Sequence, residues 1–358
     1  MTSPNPLEVH LACVRADDWP RASAQQVQGR LRSVPEDFVV DERSLPGVAT
    51  AGSDGEYVHL RVRKRNLTTA WLVGGLARHF SVPLRDVGHA GLKDRRAVTS
   101  QWFSVRAPSG LPLSPWFEPG TAVLEAHPAR AALRPGDLAG NGFRLRVRDV
   151  DDPAALEAAL VALRAAPCVP NYFGAQRFGN GAANLEAVWD WCAGRRAPAT
   201  RFERGIWLST ARSLLFNLAL ADRVRMGDWR QSLPGEARVH GAPSGPLWGR
   251  GRTLVQRDAL ARCLETWRGA GPARTLVERE GLRQDLRPWA LVVADLDWHW
   301  VGRDVVLRFD LPAGGYATTV LRELLRGAAL AAEDDDGSLG EAAGAAPSLP
   351  PRASGAAR

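Results

Sequence analysis

The sequence predicts a strand-rich domain interrupted by a second, more helical one, and three observations carry that reading. Apolar and polar residues alternate along Glu56–Arg65 and again along Phe143–Val150. From about residue 168 the alternation becomes rare, while Trp and Arg become frequent. Strand texture returns at Val301–Phe309, followed by a helix carrying Val320, Leu321 and Leu324.

Taken in order, residues 1–30 read as a polar lead-in. Glu36–Arg43, EDFVVDER, has an apolar centre and reads as a strand. In Glu56–Arg65, Val58, Leu60 and Val62 share one face, and Tyr57, His59, Arg61 and Arg63 the other. That pattern fits a half-buried strand with a basic outer face. Thr68 or Thr69 can N-cap the next helix, which carries Leu72, Leu76 and Phe80 near helical spacing. Arg144, Arg146 and Arg148 then oppose Leu145 and Val147 along a further strand. Asp152 caps a helix with Pro153 at its first position and a stripe of Leu156, Leu160 and Leu163. Ser209 is placed to cap a helix through Leu214, Leu215 and Leu218. Residues 228–252, rich in Gly, Pro and Arg, read as a surface loop. The stretch from about Ala332 to Arg358 has too little apolar surface to offset its ordering entropy, so a disordered tail is expected. The resulting division is 1–167 plus 301–330, an insertion at 168–300, and a tail at 331–358.

The chain has 358 residues, enough for two domains with separate cores. Its net charge is +7. Glu333, Asp334, Asp335, Asp336 and Glu341 outnumber Arg352 and Arg358 in the tail, so residues 1–330 are more basic still. Such a body favours a polyanion, nucleic acid or an anionic surface, although high Arg usage throughout a proteome gives the same figure. No apolar run reaches bilayer length, and the first residues lack the basic and apolar regions of a secretory signal. A cytoplasmic location is therefore expected. The four cysteines are far apart with no CxxC pair, so neither a zinc site nor a disulfide framework is expected.

Four segments look like chemistry. In His89–Gln101, HAGLKDRRAVTSQ, the single carboxylate of Asp94 sits beside Lys93, Arg95 and Arg96. Neighbouring cations favour its ionised form and also attract a phosphate backbone. A surface turn with Asp94 paired to an arginine is the alternative. Gly140-Asn141-Gly142-Phe143 leads directly into a strand and can present a ring on which an extruded base stacks, or simply a core phenylalanine. Asn171–Gly179, NYFGAQRFG, alternates Asn171, Gln176 and Arg177 with aromatics and glycines, as suits a wall contacting sugar, phosphate and base. Pro35–Glu42 carries neighbouring carboxylates that, by alternation alone, belong on the solvent face of a strand. His89 has no nucleophile partner in a triad arrangement and reads as structural or as an RNA contact.

Together and in this order, PEDFVVDE, HAGLKDRRAVTSQWFSV, GNGFRLRVRDV, PNYFGAQRFG, WLSTARSLLFN and FDLPAGGYATTVLREL resemble the TruD family of tRNA pseudouridine synthases. The matching stretches run from about residue 31 to residue 326. The resemblance implies an α+β fold: a catalytic domain on a mixed, largely antiparallel sheet, with an inserted family-specific domain at 168–300. It implies that RNA lies in the cleft between the two. The implied reaction isomerises a uridine of transfer RNA, at position 13 in the D arm, without metal or cofactor. Transfer RNA is the expected partner, no membrane is involved, and a monomer is expected.

The resemblance also assigns residues. Asp94 matches the catalytic aspartate. Phe143 matches the aromatic that packs on the target base, with Asn141 beside it. Glu36 falls in the first motif, near the implied active site. Arg32 stands where the family often has Lys; it keeps the charge but changes shape and donor geometry. Arg32, Lys93, Arg95, Arg96 and Arg177 are candidates for positioning phosphates, and Asn171 and Gln176 for other substrate contacts. One carboxylate serves attack at C1′, proton abstraction to a glycal, or attack at C6 equally well. An RNA-binding module without catalysis is a competing class. A metal-dependent nuclease is another, but it needs several acidic ligands and the Asp94 region offers one or two.

Overall fold

A computed structural model describes residues 6–23, 26–45, 55–106 and 118–326. The tail expected to be disordered lies outside these residues. The N-terminal segment is more than a lead-in. It contains α1 (Pro6–Ala16), whose Leu7, Leu11 and Val14 recur at helical spacing and pack, with Trp19, into a core.

The chain then builds β1 (Phe38–Ser44), β2 (Tyr57–Arg65), α2 (Thr69–His79), β3 (Val87–His89), β4 (Val98–Arg106), β5 (Thr121–Ala129) and β6 (Leu138–Val147). The Thr68 hydroxyl accepts from Trp71 N at 3.1 Å and caps α2. α3 (Pro153–Ala165) starts as its sequence dictates: Asp152 Oδ1 accepts from Ala155 N at 3.0 Å, and Pro153 needs no donor there. After β7 (Cys168–Pro170) come α4 (Ala183–Cys192) and the long α5 (Arg201–Arg225). Ser209 lies inside α5 rather than at its start. The cap is the reciprocal box of Thr200 and Glu203, which begins the helix more than two turns earlier.

The expected loop at 228–252 holds two strands, β8 (Ala237–Val239) and β9 (Ala242–Leu247). His240 and Gly241 both take positive φ, 48° and 81°, and turn one strand directly onto the next. The abundance of Gly and Pro hides this hairpin from a composition reading. α6 (Arg257–Thr266), α7 (Gly271–Arg279), β10 (Asp285–Pro288) and β11 (Ala290–Val292) follow. The chain ends its described course with β12 (Ala294–Val301), β13 (Asp304–Pro312) and α8 (Ala317–Leu324).

Eight strands form one sheet in the order β12-β13-β6-β1-β4-β2-β5, with β3 also paired to β4. Every pairing is antiparallel except β1 with β4. The fold is thus α+β on a mixed, largely antiparallel sheet, as expected. α3 and α8 bury Leu156, Leu160, Leu321 and Leu324 against Leu145, Val147, Leu307 and Phe309 of β6 and β13. α2 buries Leu72 and Leu76 against Leu60, Val62, Phe103 and Val105 of β2 and β4. A third core joins α4, α5 and α7 around Leu185, Leu214, Phe216, Leu276 and Trp267.

Within the sheet, β6 and β13 press closely together. A Cβ on Gly140 would lie 2.2 Å from the backbone oxygen of Leu311 on β13. Relief requires moving one strand and breaking the β6–β13 register. Gly140→Ala is therefore expected to destabilise the protein by roughly 1–3 kcal/mol or more. A thermal melt checks this, and an unchanged midpoint contradicts the packing.

Candidate active site

β1 and β6 alternate so that Phe38, Val40 and Glu42 face the same way as Asn141, Phe143 and Leu145. Register sets Glu42 opposite Asn141 and Val40 opposite Phe143. The loop between β3 and β4 crosses this face and carries Lys93 and Asp94.

These residues close a ring. Lys93 Nζ lies 2.6 Å from Glu42 Oε2, with the two side chains only 6% and 1% exposed. Glu42 Oε1 also accepts from Trp102 N at 3.1 Å. Next to Lys93, Asp94 is 37% exposed, and its Oδ2 is 3.4 Å from Arg32 Nη2. The Arg32 guanidinium lies over the Phe38 ring at 4.0 Å, and its backbone takes positive φ, 54°. Phe38 meets Phe143 edge-on, and Phe143 stacks on Phe309 at 5.4 Å. Asn141, two residues before Phe143, stands across from Glu42 and completes the circuit. Its Oδ1 is buried with no donor among the described residues.

Beneath the loop sits Lys64, fully buried at the end of β2. Its ammonium donates to the carbonyls of Leu67 (2.6 Å), Asp94 (2.8 Å) and Lys93 (3.3 Å). Thr69 Oγ1 accepts from Lys93 N and donates to Gln101 Oε1, while Gln101 Nε2 donates to Gly91 O. The loop is therefore held from below at Gly91, Lys93 and Asp94. Sequence reasoning gave Lys64 and Gln101 no role and put Glu42 on a solvent face. The signal was present: Lys64 continues the inward series Val58, Leu60, Val62, and Glu42 continues Phe38, Val40. A charged residue at an inward strand position calls for a partner. Lys64→Met leaves buried carbonyls short of a donor, each worth about 1–3 kcal/mol. It is expected to lower kcat more than it raises KM, because the loop carrying Asp94 loosens; steady-state kinetics on transfer RNA check this.

Several sequence assignments take other positions. Lys93 is committed to Glu42 and faces inward, so it is a loop anchor rather than a phosphate contact. Glu36 is exposed and paired with Arg65 at 2.6 Å, a hydrogen bond that holds its carboxyl below the usual range. Asp37 and Glu42 do not lie on a solvent face: both are buried, and Asp37 pairs with Arg148 at 2.7 Å. Phe143 is a core ring with 9% exposure, because Phe309 already covers one face. Arg95, Arg96 and Gln176 are exposed. Asn171 is buried between Pro288 O and Arg287, and Arg177 donates to Ser209 Oγ at 2.9 Å. Asn171 and Arg177 thus belong to the junction of β7 with the helical core rather than to the Asp94 ring. His89 is half-buried and meets Phe103 edge-on, and desolvation lowers its pKa from the usual histidine value. Among the described residues no cluster of His, Cys, Asp or Glu is arranged to hold a metal, and no helix is long and apolar enough to cross a membrane.

Comparison with known proteins places this chain in a family. The family model described as tRNA pseudouridine synthase D (TruD) matches residues 21–188, which include Arg32, Phe38, Glu42, Lys93, Asp94, Asn141 and Phe143. A tRNA pseudouridine synthase D from Nitrosococcus oceani is 43% identical over 336 residues, covering 83% of this chain and 90% of the relative. One from Cellvibrio japonicus is 41% identical over 321 residues, covering 86% and 93%. The crystal structure of a Methanosarcina mazei protein assigned as tRNA pseudouridine synthase D has the same fold, with a TM-score of 0.64 at 21% identity. That match covers 91% of this chain and 98% of the other. The chain therefore belongs to the tRNA pseudouridine synthase D family of isomerases.

Proposed function

We propose that the protein isomerises a uridine of transfer RNA to pseudouridine, at position 13 of the D arm, with Asp94 as the attacking carboxylate. The observation that carries this reading is the asymmetry of the ring. Lys93 and Glu42 are buried against each other, whereas Asp94 alone presents a carboxylate to solvent, facing Arg32. The reaction breaks the bond from uracil N1 to C1′ and forms one from C5 to C1′. The base must leave its stack, which costs a few kcal/mol. The donorless Asn141 Oδ1 suits a ring N–H of the extruded uracil, and the remaining edge of Phe143 lies two residues away. Exposed Arg95 and Arg96 directly follow Asp94 in the sequence and suit neighbouring phosphates. This reading divides the chain into a catalytic body of 1–167 plus 301–330 and an inserted body of 168–300; the cores interleave at these bounds, with Leu11, Val14 and Trp19 packed in the helical core and Val169, Leu291, Val293 and Leu296 in the sheet-borne one. The same reading takes the enzyme as a cytoplasmic monomer that needs no metal or cofactor.

The test incubates purified protein with unmodified transfer RNA in EDTA and maps pseudouridine by carbodiimide labelling and primer extension. One new stop at the D-arm uridine is expected. Strand cleavage that EDTA abolishes, with no such stop, would replace this reading with a metal-dependent nuclease.

A further inference from the structure

Several buried arginines of this chain carry their own carboxylates. Arg223 pairs with Asp228 and Glu236, and Arg322 with Asp17 and Glu323. Arg287 and Arg177 are different: neither forms an ion pair with any described residue. Arg287 Nη2 donates to Asn171 Oδ1 at 2.5 Å and Nε to Asn171 O at 3.2 Å, while Arg177 is held by Ser209. Both guanidiniums lie over the Phe173 ring, at 4.2 and 5.4 Å from its centre. Burial pushes Arg287 down to about 10; Tyr316 opposes that shift, Arg177 adds to it, and no carboxylate takes part.

Tyr316 is also the residue before α8, and no side chain caps that helix. A Cβ on Gly174 would lie 3.9 Å from Thr318 Oγ1, so the first turn of α8 borders the same segment. Two cations without a counter-ion, next to the uncapped N-terminus of a helix, are suited to an anion.

We propose that Arg287, Arg177 and the first turn of α8 form a phosphodiester-binding subsite that grips the RNA backbone away from the Asp94 loop. The proposal rests on the RNA-modifying reading above. Asn171 and Phe173 set the guanidiniums in place before RNA arrives. The two arginines add backbone affinity without reading sequence.

The test measures binding of unmodified transfer RNA over a salt series, using Asp94→Asn protein so that no turnover intervenes. Adding Arg177→Gln or Arg287→Gln is expected to weaken binding about 5–10-fold and to lower the salt slope by about 1. Unchanged affinity and slope overturn the proposal. Weaker binding with an unchanged slope also overturns it, since the arginines would then only hold the fold. Inorganic phosphate supplies a second arm. If it raises the melting temperature of the protein in an Arg177-dependent way while the RNA salt slope stays unaltered, the site takes free phosphate and the RNA assignment fails. Should Arg287→Gln not fold, the less constrained Arg177→Gln carries the test alone. A lowered slope in a protein whose parent makes no pseudouridine would leave the subsite standing and sink the isomerase reading instead.

Discussion

Glu42→Ala is expected to destabilise the protein by about 3–5 kcal/mol. The cost arises because Lys93 and Glu42 are almost wholly removed from water and neutralise each other at 2.6 Å. Removing the carboxylate strands a buried ammonium and also takes the acceptor from Trp102 N–H. Thermal or denaturant melts measure the loss. Glu42→Gln with Lys93→Met removes both charges, and this double variant is expected to recover much of the stability. It is not expected to recover activity, because the loop position of Asp94 depends on the pair. A double variant no more stable than Glu42→Ala would contradict the claim that an uncompensated charge is the cause.

Much of this architecture was legible in the sequence. The alternation in Glu56–Arg65 and Phe143–Val150 marked the strands that are observed as β2 and β6, and Asp152-Pro153 marked the start of α3, because each signal is local. What escaped were elements with weak or misleading local chemistry. α1 hides a three-residue apolar stripe in a polar segment, and the β8–β9 hairpin is rich in Gly and Pro. At the site, Asp94 was marked by its basic neighbours, but the direction of those neighbours was not. Lys93 turns inward and Arg95 outward, a choice made by Glu42 on a strand some fifty residues away in sequence. Arg32 reaches Asp94 only because its backbone takes positive φ and its guanidinium lies on Phe38. Asn171 and Arg177 were grouped with the site by chemistry alone. Their side chains bond Pro288, Arg287 and Ser209 instead, next to β7 paired with β11, a contact that no local pattern announces.

The largest effect on chemistry is expected at Asp94. Asparagine keeps the size and hydrogen-bonding capacity of the side chain but cannot act as a nucleophile or base. Asp94→Asn removes the counter-charge of Arg32, whose side chain is only 7% exposed, but keeps an oxygen to accept from it, so a modest loss of stability with RNA affinity near that of the parent is expected. A loss of one nucleophilic or acid–base group typically costs a factor on the order of 10³ or more. Retained binding with lost turnover separates a chemical role from a positioning one. The decisive measurement is a single-turnover time course on unmodified transfer RNA, with enzyme in excess, comparing parent and Asp94→Asn proteins. The account predicts complete conversion of one D-arm uridine by the parent and no detectable pseudouridine from the variant at full RNA occupancy. Product formation by Asp94→Asn at a rate close to the parent's would contradict it.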